Sequence, residues 1–278
     1  MKKLKIGLQL YSVREEMSKD FFGTLKNVKH MGYDYVEFAG YFGKSAEEIK
    51  EMLDSLQLKC ISVHQTYDVF LKNPEQEIKF IKTLGAKYSA IPWMASDSQA
   101  GTPSFPKVIA DIASTGKLLK ENGIQLLYHN HDFEFEKFEG KTKLDILYSS
   151  ISEEYLQTEI DTCWLKYAGY DPTQYLLKYS KRSPVVHLKD FTSNSAKKGP
   201  VYALIDENGK EIKKDKDSDG FKFKPVGQGV QDIPAIIKAA LKAGTKYFIV
   251  EQDQSLELPA LESAKESLNY LKKIETEL

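Results

Sequence analysis

Cysteine is scarce in this 278-residue chain: there are two, Cys60 and Cys163. Each lies in an apolar context, and the pair forms neither a disulfide framework nor a Cys-x-x-Cys motif. Buried thiols in an intracellular protein are therefore expected. An excess of one charge is also missing. With 39 Lys and Arg against 40 Asp and Glu, the net charge is −1, and the pI is near 6.6. That balance leaves no electrostatic footprint for nucleic acid. No apolar run approaches the ~18 residues that a membrane helix needs. The basic residues at Lys2, Lys3 and Lys5 precede only a short apolar stretch, interrupted by Gln9 and without a small-residue cleavage site. A strand is expected there rather than a signal peptide, and the cytoplasm is the expected location. A Gly-x-Gly-x-x-Gly after a strand is lacking as well, which argues against a dinucleotide-binding, doubly wound sheet.

What the chain has is enough apolar residue for a large core, 41% of the sequence, with 28% charged; this composition argues against disorder. Short apolar runs recur and end near residues 10, 37, 64, 92, 129, 161, 187 and 251. The runs are Leu4–Leu10, Tyr35–Phe38, Leu58–His64, Tyr88–Pro92, Ile124–Asn130, Leu156–Asp161, Pro184–Lys189 and Lys246–Glu251. Between them, apolar residues return at helical spacing, as in Phe22, Leu25, Val28 and Met31 before Gly32. Ser45 and Glu48 form a capping box, and Asn73-Pro74 opens another helix with proline at its first position. The runs lie about one βα unit apart except for the last step. Eight such units predict a (β/α)₈ TIM barrel occupying residues 1–278 as a single domain.

The long last step holds an insertion, residues 191–229. Val201–Ile205 and Glu211-Ile212 flank Asp206-Glu207-Asn208-Gly209, predicting a hairpin with an Asn-Gly turn. Because it follows strand seven, it is expected over the C-terminal mouth, as a lid or substrate wall or as a solvated or oligomer-forming decoration. Asp215–Gly220 imitates half an EF-hand loop, but its twelfth position is Val226 instead of glutamate, so a solvated acidic turn is expected.

Of five histidines, His64, His129 and His187 fall at predicted strand ends, and His131 lies two residues beyond one. In a barrel these ends converge on one cavity. His129, Asp161, His187 and Glu251 would then present two imidazoles and two carboxylates from strands five to eight. That set suits one divalent metal, Mn, Co, Zn or Fe, without choosing between them.

These motifs carry a resemblance. Ile6-Gly7-Leu8-Gln9-Leu10-Tyr11-Ser12, Tyr128-His129-Asn130-His131-Asp132-Phe133-Glu134-Phe135, Asp161-Thr162-Cys163-Trp164, His187-Leu188-Lys189-Asp190 and Val250-Glu251 stand in the order seen in the xylose isomerase-like barrel superfamily. The chain resembles that superfamily, the sugar phosphate isomerases and epimerases, over nearly its whole length outside the insertion. The resemblance implies a metal site carried directly onto Asp161, His187 and Glu251, with His129 where the family has glutamate. Trp164 stands where many members have histidine.

The implied reaction is isomerisation or epimerisation of a sugar or keto-sugar, by removal of an α-proton with a metal-stabilised enediolate. Because His129 replaces a carboxylate, dehydration or lysis of an inosose or 3-keto-glycoside is the alternative. Glu251 is the expected base, and His64, His131 and Glu134 are candidates for the second acid or base. Lys189 resembles a substrate-contacting lysine, and Tyr11, Trp164 and Glu134 are expected to face a small sugar or cyclitol. A homo-oligomer is compatible with this reading, whereas nucleic acid and membrane are not expected partners. An endonuclease IV-type repair enzyme would require more histidines and a basic face. A non-catalytic sugar-binding protein would follow from an incomplete metal site.

Overall fold

The computed structural model describes residues 3–193 and 220–277. Eight parallel strands close into a barrel: β1 (Ile6–Gln9), β2 (Tyr35–Ala39), β3 (Lys59–His64), β4 (Tyr88–Ile91), β5 (Gln125–His129), β6 (Gln157–Asp161), β7 (Val185–Leu188) and β8 (Tyr247–Val250). Each strand pairs with its sequence neighbours, and the ring closes where β1 meets β8, with Ile6 opposite Phe248. The fold is the expected (β/α)₈ barrel.

Side-chain alternation divides the core into two zones. On β2, β5, β6, β7 and β8, Val36, Phe38, Leu126, Tyr128, Ile160, Val186, Leu188, Phe248 and Val250 join the layer shared with the helices. The intervening residues turn into the lumen. Low in the lumen, Ile61, Tyr88, Ala90, Leu127, Val185, Tyr247 and Ile249 form a separate apolar plug. Burying each of the larger of these side chains contributes roughly 1.5–3 kcal/mol. Above the plug the lumen becomes polar. The same strands that anchor the core therefore deliver the charged groups to the mouth.

The helices follow the predicted signals. Phe21–Met31 ends at Gly32, whose φ of 102° suits glycine. Ala46–Leu56 starts at the capping box: Ser45 N–H donates to Glu48 Oε2 at 2.8 Å, and Glu48 N–H donates to Ser45 Oγ at 3.2 Å. Pro74–Leu84 and Ile233–Ala243 both carry proline in the first turn. The pairing of β2 with β3 shifts register between Val36 and Glu37, a local irregularity of the kind that re-aims a side chain.

Within the insertion, Asp190–Thr192 pairs antiparallel with Lys222–Lys224, Phe191 opposite Phe223. Asp190 joins the two sides. Its Oδ2 accepts from Gly227 N–H and Gly229 N–H, both at 3.0 Å, and its Oδ1 from Gln231 N–H at 3.2 Å and Phe191 N–H at 2.9 Å. The predicted Asn-Gly hairpin at 201–212 and the acidic turn at 215–219 lie outside the described residues. No helix among the described residues is long and apolar enough to cross a membrane.

Candidate metal centre

Two residues apart on β6, Glu159 and Asp161 point to the same side of the strand and stand one above the other in the lumen. This repeat gives the centre two tiers. The upper one is the predicted set, His129, Asp161, His187 and Glu251, whose donor atoms all lie within 4.8 Å of one another. The lower one combines His64, His129, Glu159 and His187 within the same limit. All six residues are buried or nearly so.

Asp161 is fixed before it meets any ligand. Its backbone is clamped by Asn130, which accepts from Asp161 N–H at 3.0 Å and donates to its carbonyl at 3.3 Å. Its Oδ1 caps the short helix Thr162–Tyr167 by accepting Trp164 N–H at 2.9 Å. That leaves Oδ2 to face His129 Nε2 at 3.7 Å and Lys189 Nζ at 3.0 Å. The Lys189 ammonium also lies 2.9 Å from Glu251 Oε2 and 2.9 Å from Asp253 Oδ1. Burial disfavours the charged lysine, but the three carboxylates outweigh it and hold its pKa well above the ordinary value. Glu251 shows the reverse: burial raises it, yet Lys189 and His187 keep it well below the usual carboxylate range. Burial pushes Asp253 up to about 6, with Lys189 pulling the other way.

In the lower tier, His187 presents a nitrogen to each level. Its Nδ1 is 2.9 Å from Glu251 Oε2, and its Nε2 is 2.6 Å from Glu37 Oε2. Gln9 Nε2 donates to the same Glu37 oxygen at 3.0 Å. His64 Nε2 lies 2.7 Å from Glu159 Oε2 and 3.4 Å from Glu37 Oε2. His129 Nδ1 lies 3.3 Å from Glu159 Oε2. Burial and the neighbouring Glu37 push Glu159 up to about 7, whereas His64 and His187 overcome burial to hold Glu37 near 2. These opposing influences split the pair, lowering Glu37 and raising Glu159. Burial, reinforced by His187, keeps His129 neutral by lowering its pKa well below the normal value.

Around the mouth, Trp164 is fully buried and stacks on Phe221 (5.7 Å, 9°) and edge-on to Phe223 (5.5 Å, 88°). Tyr167 and Phe191 complete this aromatic wall, and Lys189 Nζ sits 5.4 Å from the Trp164 ring. The described ends of the insertion therefore pack beside the metal centre. His131 lies 5.1 Å from the His129 ring and stacks on Phe133 at 5.5 Å. Tyr11 is half-buried beneath the Arg14 guanidinium, 4.2 Å from its ring, and Arg14 donates to the Asp253 carbonyl at 2.8 Å.

The fold brings together His64, His129, His131, Asp161, His187, Lys189, Glu251 and Trp164. Glu134 is held elsewhere: Tyr128, on the outer face of β5, donates to its Oε1 at 2.6 Å, and His131 N–H donates to its Oε2 at 2.8 Å. Burial pushes its carboxyl up to about 8. Its visible work is to tie the turn after β5 to the strand. Sequence reasoning missed Glu37, Glu159 and Asp253. Glu37 and Glu159 each interrupt an otherwise apolar strand, and Glu159 shares the face of Asp161. Asp253 lies two residues past Glu251 by the same rule.

The donors fit a divalent cation. Imidazole nitrogens and carboxylate oxygens converge in a buried lumen, and the buried Glu159 Oε1 and His129 Nδ1 have no hydrogen-bond partner among the described residues. A family model for the xylose isomerase-like TIM barrel matches residues 25–274. The chain belongs to that family. Among curated relatives, an inosose dehydratase of Clostridium perfringens is 26% identical over 251 residues, covering 82% of this chain and 79% of the relative. Among solved structures, a sugar phosphate isomerase/epimerase from Parabacteroides distasonis is 22% identical with a TM-score of 0.77, covering 98% of each chain. The IOLI protein, solved with a bound zinc atom, is 15% identical with a TM-score of 0.69, covering 99% of each chain. The curated relatives are thus dehydratases, and the solved structures share the barrel fold.

Proposed function

We propose that this protein removes the proton next to the carbonyl of a keto-sugar or cyclitol and then expels a β-hydroxyl as water. The observation that carries this reading is the asymmetry of the mouth. Across from Glu251, the strand-five position holds the imidazole of His129, so a matched pair of carboxylate bases is lacking. The curated dehydratase relatives support the same choice. His129, Asp161, His187 and Glu251 would hold one Mn, Co, Zn or Fe ion, which when bound polarises a carbonyl and its neighbouring hydroxyl.

The protein's own groups supply the rest. Lys189, immobilised by three carboxylates, presents positive charge to a substrate oxygen as negative charge develops there. His131 is kept neutral by burial and by the Lys189 charge, which lower its pKa well below normal. It takes the α-proton through a ring nitrogen and returns it to the departing hydroxyl as that C–O bond breaks. One proton travels, water leaves, and the imidazole ends neutral. The aromatic wall of Trp164, Phe221 and Phe223 keeps solvent from one side of the mouth.

Isomerisation or epimerisation stands second. It is favoured by the presence of two proton acceptors, His131 and Glu251, on different strands of the same mouth. Incubation with inososes and keto-sugars in D₂O, followed by NMR, separates the two. Elimination gives a product one water lighter; epimerisation gives an isomer carrying deuterium at the α-carbon. Elimination activity retained in full by Asp161→Asn without bound metal would overturn the proposal.

A further inference from the structure

The mouth set leaves the lower tier unused, and that tier has the composition of a second site. His64 plays no part in the upper four. Its Nε2 closes on Glu159 at 2.7 Å, while His129 Nδ1 approaches the same oxygen at 3.3 Å and His187 Nε2 at 3.5 Å. Donors in a tetrahedral shell with metal–nitrogen bonds of about 2.0–2.1 Å stand about 3.3–3.4 Å apart. Two of these three spacings are already near that value, and the third needs a small opening.

The tier also differs from the mouth in its counter-charge. At the mouth, Lys189 neutralises part of Asp161, Glu251 and Asp253. Among the described residues, no lysine or arginine forms an ion pair with Glu37 or Glu159; imidazoles and the neutral Gln9 amide approach them. Both carboxylates are wholly buried. Glu37 Oε1, Glu159 Oε1 and His129 Nδ1 make no hydrogen bond among the described residues. Buried polar atoms left this way in a nitrogen- and carboxylate-lined space point to a missing cation.

We propose that the lower tier is a second divalent-cation site, built on His64 Nε2, Glu159 and His129 Nδ1, with His187 Nε2 adjoining the fourth position. His129 then turns Nδ1 to the lower ion and Nε2 to the mouth ion, which also keeps Asp161, His187 Nδ1 and Glu251. This assignment gives each ion at least three protein ligands, with His129 and His187 each presenting one ring nitrogen to each tier. It also accounts for a histidine at the strand-five position: the imidazole offers a donor to each tier from opposite edges of one ring. The soft nitrogen share favours Zn, Co or Fe over Mg or Ca.

Cobalt titration of the full chain, followed by desalting and elemental analysis, tests the assignment. Wild type should bind two equivalents, and the cobalt d–d absorption should grow in two steps. His64→Ala and Glu159→Gln should each lose one equivalent and one step, and Asp161→Asn should lose the other. Circular dichroism melts confirm that each variant is folded. Should a variant fail to fold, the two-step titration of wild type still decides. A single equivalent bound by wild type and kept by His64→Ala and Glu159→Gln, with only its affinity altered, would overturn the proposal and leave these residues as supports for the mouth ligands. A single equivalent lost in those variants but kept by Asp161→Asn would uphold the lower site and sink the mouth site instead.

Discussion

Lys189 places its ammonium 3.0 Å from Asp161 Oδ2, so one residue of the mouth already holds a cation against a predicted metal ligand. Glu251 and Asp253 complete the cage around it. Lys189→Met should strand three buried carboxylates. The metal-free protein should lose about 3–5 kcal/mol of stability, the usual cost of breaking a buried pair. Part of that loss should return on adding Zn²⁺ or Co²⁺. Thermal melts with and without metal measure both effects; a variant as stable as wild type without metal would show that the cage carries no net charge burden.

His131→Ala should retain bound metal and lower kcat by about 10²–10⁴-fold, the range for loss of a general base. Steady-state kinetics beside elemental analysis distinguishes this from a ligand defect, in which metal and activity would fall together.

Glu134 gives a pH signature distinct from the mouth. Burial raises its folded-state pKa to about 8, above the ordinary carboxyl value of 4.5. Between those values the folded chain keeps a proton that the unfolded chain has released, so its contribution to stability is fully present below the unfolded pKa and is lost as pH rises toward 8. Urea denaturation at pH 5 and pH 8.5 should show wild type losing more stability than Glu134→Gln over that interval. Equal slopes would refute the shift.

At Gly229 an added Cβ would collide with Asp190 Oδ1 and the Phe191 carbonyl. Both neighbours are held by backbone bonds and cannot swing aside. Gly229→Ala should cost about 1–3 kcal/mol, as overpacking does, measurable by chemical denaturation.

The barrel was legible because its strands announce themselves twice: once as apolar runs and again by a charged or imidazole residue at the rim. His129, Asp161, His187 and Glu251 were readable for that reason. Glu37 and Glu159 were not, because a single carboxylate inside an apolar strand reads as a solvent-facing residue until the closed lumen makes both faces interior. The aromatic wall was hidden differently. Trp164 meets Phe221 and Phe223 across the insertion, and no local spacing encodes a contact between segments so far apart. Glu134 was read from its place in a histidine-rich motif, and its own hydrogen bonds, from Tyr128 on the outside of β5 and from the His131 N–H, could not be read from spacing.

Asp190 makes the excursion after β7 a closed parenthesis. Four backbone N–H groups converge on one carboxylate, one from the departing side at Phe191 and three from the returning side at Gly227, Gly229 and Gln231, so departure and return are fixed at the same point. The entropic cost of spanning such a seam rises only slowly with the number of residues enclosed, by about 0.6 kcal/mol per doubling. Segments of different length and composition can thus be exchanged there without redrawing the barrel. Selection can act on the segment between the two sides while the barrel itself stays constant.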